Sequence, residues 1–149
     1  MDDSTILITG AGGQVGRALR QQYPDARTGR LDITDRQALQ DFDWNGIKIV
    51  MNAAAYTDVD GAETNTGRIK AWKTNASALL DLLSIVQGRG IVLVHFSSDY
   101  VFDGTKTPHF EDEPFSPLNV YGQTKAAGEL IAAALPSHYI LRASWVVGN

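Results

Sequence analysis

Cysteine is missing from the sequence altogether. A disulfide framework and a thiolate metal site are therefore excluded, and the composition fits a reducing compartment, so we expect a cytoplasmic protein. The first residues, Met1 to Ser4, are acidic, whereas a secretory signal begins with basic residues. No apolar run reaches the length of a membrane span, so no membrane partner is predicted.

Positive charge is scarce as well. The net charge is −4 and no basic run occurs, so a nucleic-acid partner is not predicted. Asp58, Asp60 and Glu63 form an acidic cluster without a histidine beside it, which favours solvated acids over a metal site. What the chain does have is a hydrophobic fraction of 44% over 149 residues, enough for one domain with a core.

A glycine-rich turn follows the first apolar run. Residues 5–9 are typical of a buried parallel strand; Gly10, Gly13 and Gly16 come directly after it, before a helical pattern. Glycines in this position permit a tight turn, let the backbone approach a pyrophosphate and allow close packing of helix on strand. A turn without a ligand is the alternative, but the strand-turn-helix context favours a dinucleotide held by the helix amides.

The segment after this helix bears on the choice of cofactor. We predict a short second strand near residues 26–28 and a third strand, if present, over residues 31–33. An NAD-preferring site usually has an acid at the end of the second strand, whereas this segment offers Arg27 and Arg30. Arginine suits a 2′-phosphate, so the pattern favours NADPH, with NADH as the alternative. Two solvated arginines on a loop explain it equally well.

The rest of the chain alternates between helical and strand patterns. In chain order we predict a helix over 34–42, a strand over 47–51, a helix over 68–87, a strand over 91–96, a loop over 103–118, a helix over 121–135 and a strand over 138–147. The alternation predicts an α/β fold with a Rossmann-type, doubly wound parallel sheet. The expected strand order is 3-2-1-4-5-6, with helices on both faces. The length of the loop indicates a functional segment.

Two polar residues fall within buried patterns. Asn75 lies on the inner face of the 68–87 helix with Trp72 and Leu79, and Leu80 belongs to the same apolar set. A buried asparagine needs partners, so it is either a structural bridge or part of a proton relay beside the cofactor. His95 lies inside a strand pattern, and we interpret it as a packed core histidine rather than a catalyst.

Tyr121 and Lys125 are the candidates for proton transfer. They are four residues apart near the start of a predicted helix, so they project from one face. The ammonium and the helix N-terminus are expected to lower the pKa of the phenol. Ser98, next to Ser97, ends a strand where open α/β sheets bind ligands, and its hydroxyl can hydrogen-bond a carbonyl oxygen. A chance surface pair is the alternative, but the whole set favours hydride transfer between a nicotinamide and a carbonyl or alcohol.

Five blocks of sequence resemble the extended short-chain dehydrogenase/reductase family, and within it the dTDP-4-dehydrorhamnose reductases. The blocks are residues 8–16, 52–63, 95–102, 116–129 and 141–145. The resemblance covers nearly the whole chain, and the last four blocks are more specific than the glycine turn. It implies reduction of the 4-keto group of dTDP-4-dehydro-L-rhamnose, a nucleotide sugar, with NADPH or NADH in dTDP-L-rhamnose biosynthesis.

The resemblance also implies roles for individual residues. Ser98, Tyr121 and Lys125 fall on catalytic positions, and Tyr121 and Lys125 also contact the cofactor. The other cofactor positions that the resemblance implies are Gly10, Gly13, Gln14, Val15, Asp32, Ile33, Asn52, Ala53 and Ala54. The arguments from the residues above add Gly16, Arg27 and Asn75 as cofactor candidates. Expected on the sugar side are Thr57, Val59, Ser98, Tyr100 and Trp145.

The length of the chain departs from this family, whose members are roughly twice as long. We therefore expect residues 1–149 to be an NAD(P)-binding domain without the family's C-terminal substrate domain, weak or inactive on its own. A homodimer is left open. Two alternatives remain: a non-catalytic regulatory subunit of the methionine adenosyltransferase type, and another nucleotide-sugar epimerase or dehydratase.

Overall fold

A four-stranded parallel sheet forms the centre of the protein. The structure, a computed structural model, describes residues 2–29 and 31–147. The strands are β1 (Ile6–Thr9), β2 (Ile49–Asn52), β3 (Val92–Ser98) and β4 (His138–Ala143), and they lie in that order across the sheet. The α-helices are α1 (Gln14–Gln22), α2 (Arg36–Asp41), α3 (Asn65–Trp72), α4 (Ala78–Gln87) and α5 (Val120–Ala132). The predicted α/β class with a parallel sheet is confirmed.

The predicted order of six strands, 3-2-1-4-5-6, is not confirmed. The second predicted strand is reduced to one parallel bridge between Leu7 and Arg27, and residues 31–33 form no strand. Instead, the Asp32 carboxylate accepts hydrogen bonds from the amide and hydroxyl of Thr34, which folds this segment into a turn. Arg30 lies outside the described residues.

Apolar side chains cover the two faces of the sheet differently. On one face Leu7, Val50 and Leu93 lie in register, are fully buried and pack against Leu39 of α2 and Leu82 of α4. On the other face Ile6 and Ile8 pack against Leu19 of α1. Helices therefore lie on both faces, as the alternation of elements predicts. Within the described residues, no helix has both the length and the apolar character needed to cross a membrane.

The predicted helix over 68–87 is interrupted by a π-helical turn at Lys73–Ser77, which separates α3 from α4. A π turn inserts an extra residue and rotates the helix face that follows. Asn75 and Leu79 are buried as predicted, but Trp72 is 39% exposed and Leu80 is 55% exposed. The placement of these two side chains in the apolar set was wrong, because the buried face runs through Ala71, Asn75 and Leu79, and Trp72 and Leu80 each lie one residue past it.

Two leucines of α4, Leu80 and Leu82, test the assignment of the core face. Leu82→Ala should lower the free energy of unfolding by about 2–5 kcal/mol, because Leu82 is fully buried and its removal leaves a cavity. Leu80→Ala, with the same change in helix propensity at an exposed site, should change it by less than about 1 kcal/mol. Urea denaturation measures both values. Equal losses in the two variants would contradict the assignment of the core face.

Candidate active site

A cleft of about 1020 Å³ opens at the carboxyl ends of the strands. Most of the predicted site residues share it, although they come from six separate segments of the chain. The predicted site residues among its lining are Gly10, Gly13, Gln14, Val15, Asp32, Ile33, Ala53, Ala54, Thr57, Val59, Ser98, Tyr100, Tyr121, Lys125 and Trp145. The structure therefore brings the glycine turn and the predicted reaction centre to one place. Outside the lining lie Gly16, Arg27, Asn52 and Asn75.

The glycine turn is held by close approaches of backbone to backbone. Gly10 has a φ of +66°, and a Cβ there would lie 2.4 Å from the amide nitrogen of Ala54. A Cβ on Gly16 would lie 2.2 Å from the carbonyl oxygen of Gly10, so this glycine lets α1 pack on the turn. By contrast, a Cβ on Gly13 would meet only the Gly10 carbonyl oxygen, at 3.5 Å. The first two glycines are thus needed by the fold, and Gly13 leaves the cleft surface bare.

A chain of buried polar side chains runs under the cleft from β1 to β3. The Thr9 hydroxyl donates to Asn52 Oδ1 over 2.6 Å, and Asn52 Nδ2 donates to His95 Nδ1 over 3.1 Å. Asn52 is fully buried, so it supports the cleft from below. Burial lowers the pKa of His95 to about 3, and the nearby Lys125 charge acts in the same direction. The interpretation of His95 as a packed core histidine is confirmed.

Ser98 and Tyr121 face the same cleft. The Ser98 hydroxyl donates to Asp99 Oδ1 over 3.1 Å and accepts from the amide of Tyr100 over 3.2 Å. Burial raises the pKa of Tyr121, while the Ser98 hydroxyl opposes the rise and the Asp99 charge adds to it. The predicted lowering of this pKa was wrong in direction, because loss of water around the phenol is the largest effect on it, and the Lys125 ammonium is bonded to the Phe96 carbonyl oxygen instead.

Lys125 lies almost entirely out of water, with 2% of its surface exposed. Its Nζ donates to the backbone carbonyl oxygen of Phe96, at the end of β3, over 2.6 Å. Burial lowers its pKa to about 8, and the carboxylate of Glu129 opposes the shift. Lys125 is therefore still an ammonium at neutral pH, and it attaches α5 to the sheet edge where Ser98 follows.

The start of α5 is fixed by contacts that place Tyr121. The Asn119 side chain accepts from the amide of Gly122 over 2.7 Å, and Glu63 Oε1 accepts from the amide of Val120 over 2.8 Å. A Cβ on Gly122 would lie 2.2 Å from the carbonyl oxygen of Tyr100. The glycine therefore lets α5 approach the turn after Ser98, and the rings of Tyr100 and Tyr121 meet edge-on at 5.6 Å.

Two of the predicted cofactor residues point elsewhere. The Arg27 guanidinium donates to the carbonyl oxygens of Asp43 and Asn45, over 3.1 and 2.8 Å, so it supports a loop and not the cleft. Asn75 exchanges hydrogen bonds with the backbone of Tyr56 and donates to Thr124 Oγ1. Of the two roles predicted for Asn75, these contacts are those of a structural bridge.

Three site residues were missed as cofactor or substrate candidates. Arg17 lines the cleft and donates to the Gly12 carbonyl oxygen over 2.8 Å, and Arg20 borders an adjoining hollow beside Asp32. Their spacing of three residues on the helix after the glycine turn was a readable signal. The Ser97 hydroxyl also lines the cleft; it is buried and, among the described residues, makes no hydrogen bond.

The acidic cluster of the sequence is occupied by local contacts. Asp58 accepts from the amide of Gly61, and Glu63 caps α5 and lies 3.7 Å from the Arg68 guanidinium. Across residues 2–29 and 31–147, no group of three or more His, Cys, Asp or Glu side chains is arranged to hold a metal ion.

Lys125 gives the stability of the protein a pH dependence of definite sign. Its pKa is about 8 in the folded protein and near 10.5 in the unfolded chain. Between these values the unfolded chain binds more protons, so the free energy of unfolding rises with pH by up to about 1.4 kcal/mol per unit. Lys125→Met should remove this rise, whereas Lys70→Met, at an exposed lysine of α3, should retain it.

The measurement is urea denaturation at pH 7.5 and at pH 9.5. The change in unfolding free energy between the two pH values is compared among the wild-type protein and both lysine variants. If all three proteins changed by the same amount, Lys125 would not be titrating in a buried environment.

The sequence matches the family described as the RmlD substrate binding domain over residues 4–149. A dTDP-4-dehydrorhamnose reductase of Mycolicibacterium smegmatis is 40% identical over 95% of this chain and 45% of its own length. One of Mycobacterium tuberculosis is 39% identical over 95% of this chain and 50% of its own. The chain thus spans about half the length of the curated relatives it matches.

A solved structure of the dTDP-4-dehydrorhamnose reductase from Bacillus anthracis, in complex with NADP, aligns with a TM-score of 0.86 at 33% identity. The alignment covers 97% of this chain and 55% of that chain. The enzyme from Clostridium acetobutylicum aligns with a TM-score of 0.85 at 36% identity, over 97% and 54% of the two chains. The chain belongs to the RmlD substrate binding domain family and is similar to the dTDP-4-dehydrorhamnose reductases among the short-chain dehydrogenases/reductases.

Proposed function

We propose that residues 1–149 form the NAD(P)-binding half of a dTDP-4-dehydrorhamnose reductase, which reduces the 4-keto group of dTDP-4-dehydro-L-rhamnose. The convergence of Ser98, Tyr121 and Lys125 with the glycine turn in one cleft is the observation that carries this proposal. Similarity to a dTDP-4-dehydrorhamnose reductase over 95% of the chain also supports the proposal. The proposal is limited to this half, because the chain spans about half the length of those relatives.

The cleft fits a dinucleotide. Gly13 leaves its floor bare next to the start of α1, where helix amides bind phosphate, and Ser97 presents a buried hydroxyl without a partner. When bound, a nicotinamide cofactor supplies or accepts the hydride. Asp32, Ala53 and Ala54 line the same wall and complete the proposed cofactor side.

Tyr121 is suited to give up a proton. Because burial raises its pKa, the phenol carries its proton at neutral pH and can deliver it to an oxygen that gains negative charge. The Ser98 hydroxyl, in the same cleft, can hydrogen-bond that oxygen and stabilise its charge. The Lys125 ammonium adds a positive charge below the site, which favours charge development on the oxygen and on the phenol.

NADPH is the proposed cofactor, with NADH as the alternative. Arg17 and Arg20 place two guanidinium groups near the glycine turn, and guanidinium is the preferred partner of a phosphate. Asp32 lies beside them, and its carboxylate could accept a hydrogen bond from a ribose hydroxyl. One of its oxygens, however, already accepts hydrogen bonds from the amide and hydroxyl of Thr34. The proposal rests on these arginines and on the NADP complex of the Bacillus anthracis relative, and no longer on Arg27.

The sugar is proposed to lie beyond Ser98. Thr57, Val59, Tyr100 and Trp145 line the same cleft, and Trp145 is 91% exposed. An exposed indole is available to a second half of the pocket.

A cytoplasmic location belongs to the same proposal, since a chain without cysteine cannot form the disulfides that an oxidising compartment favours. A homodimer is open to test by light scattering.

Cofactor binding is tested by titrating the protein into NADPH and following the fluorescence of the reduced nicotinamide. Gly13→Ala should weaken binding by roughly tenfold or more, because its methyl group lies on the proposed phosphate surface. Gly12→Ala is the matched control: its Cβ meets no atom within 4 Å, so affinity should stay within about twofold. No binding by the wild-type chain at millimolar NADPH would count against the proposal.

The reaction is tested under single-turnover conditions, with protein in excess over the nucleotide sugar, by loss of absorbance of NADPH. Tyr121→Phe should slow the reaction by about 10²–10⁴-fold, because the proton donor is removed, while NADPH affinity changes by less than about twofold. Tyr139→Phe, at a tyrosine that is 65% exposed on β4, should react like the wild type.

The outcome also separates the alternatives. NADPH binding without turnover, together with capture of a methionine adenosyltransferase in a pull-down, would favour a regulatory subunit. A product that NMR identifies as an epimer or a dehydrated sugar would assign one of the related nucleotide-sugar enzymes instead.

A further inference from the structure

A buried carboxylate lies one helical turn beyond Lys125. Glu129 is 1% exposed and follows Lys125 by four residues on α5, so Tyr121, Lys125 and Glu129 lie along one face of the helix. Among the described residues, Glu129 is the one acid that is fully buried. A buried charge without partners is costly, so the contacts of Glu129 indicate what it does.

Arg142 of β4 holds the Glu129 carboxylate with two parallel hydrogen bonds. Arg142 Nε donates to Glu129 Oε1 over 3.0 Å, and one of its terminal nitrogens donates to Oε2 over 2.7 Å. This bidentate geometry fixes both the position and the orientation of the carboxylate. The negative charge of Glu129 therefore stays at a constant place relative to the Lys125 ammonium.

The same arginine contacts the 103–118 loop. The remaining terminal nitrogen of Arg142 donates to the Glu111 carbonyl oxygen over 3.0 Å. Its guanidinium carbon lies 4.8 Å from the centre of the Phe102 ring and 5.5 Å from that of Phe115. Phe102 in turn stacks on His109 at 4.5 Å. One guanidinium thus joins β4, α5 and both ends of this loop.

We propose that Glu129 is a positioning residue for Lys125: it lies one turn along the same face of α5, its carboxylate is held by Arg142 as the buried counter-charge of the Lys125 ammonium, and Arg142 ties that charge to the 103–118 loop. This deepens the proposed function, on which its catalytic relevance rests, because the ammonium acts below the reaction centre. A displaced loop would disturb Arg142, then Glu129, and so the charge beneath Tyr121.

The other groups near Lys125 do not supply this counter-charge. His95 of β3 is neutral above about pH 3, and the Phe96 carbonyl oxygen is a dipole. Tyr121 holds its proton at neutral pH, and Asp99, on the turn after β3, is exposed to solvent. Glu129 is also the group whose charge raises the pKa of Lys125 against the effect of burial.

The test is the titration of Lys125 followed by NMR of isotopically labelled lysine side chains, with the signal assigned by its loss in Lys125→Met. Glu129→Gln keeps the shape and removes the charge, so the pKa of Lys125 should fall by about one unit, a tenfold loss of proton affinity. Glu113→Gln is the matched control, because Glu113 pairs with Lys106 and His109 in the same loop and should leave Lys125 unchanged.

Glu129→Gln leaves Arg142 without its partner and is expected to reduce stability. A double variant, Glu129→Gln with Arg142→Met, removes both charges and so leaves no unpaired guanidinium. It is expected to be more stable than Glu129→Gln, and the pKa of Lys125 should still fall. Faster hydrogen exchange in residues 103–118 should accompany the double variant. An unchanged Lys125 titration in either folded variant overturns the proposal.

This result is independent of the cofactor. If NADPH does not bind but the pKa of Lys125 falls in Glu129→Gln as expected, the proposed function alone is refuted. If NADPH binds but the pKa of Lys125 does not change in that variant, the positioning role alone is refuted.

Discussion

The ammonium of Lys125, buried at 2% exposure, is the charge on which the arrangement of the cleft depends. Its hydrogen bond to the Phe96 carbonyl oxygen joins α5 to β3, where Ser98 follows Phe96 by two residues and Tyr121 precedes Lys125 by one helical turn. A charge in such a place must be compensated, since burial alone favours the neutral amine. Glu129 supplies the compensation, and Arg142 compensates Glu129 in turn. The proposed reaction centre therefore lies next to three buried or half-buried charges of alternating sign, those of Lys125, Glu129 and Arg142.

Close backbone contacts hold this line of charges in place. Gly10 and Gly16 let the first turn and helix lie against the segment after β2 and against each other, and Gly122 lets α5 touch the turn after β3. In each case a single methyl group would overlap a backbone atom. The shape of the cleft thus depends on the glycines, where larger side chains would overlap the backbone. The protonation of Tyr121 and Lys125, in the proposed reaction centre, depends on their burial.

The properties of Tyr121 show why burial matters for function. Proximity to an ammonium and to a helix N-terminus would make a tyrosine more acidic in water. In the cleft, loss of hydration dominates and the phenol retains its proton. A tyrosine of this kind donates a proton only to an oxygen that becomes strongly basic, as the substrate oxygen would in the proposed reduction.

The sequence by itself determined the parallel α/β class and the glycine turn, and it made Ser98, Tyr121 and Lys125 the candidate site residues. These conclusions depend on local periodicity and on short motifs. It did not determine the direction of Arg27, the exposure of Trp72 or the direction of the shift in the Tyr121 pKa. Those follow from hydrogen bonds to the carbonyl oxygens of Asp43 and Asn45, from which side of the helix the core covers, and from burial by distant segments. Only the tertiary structure decided them, since each depends on atoms brought together from parts of the chain that no local pattern relates.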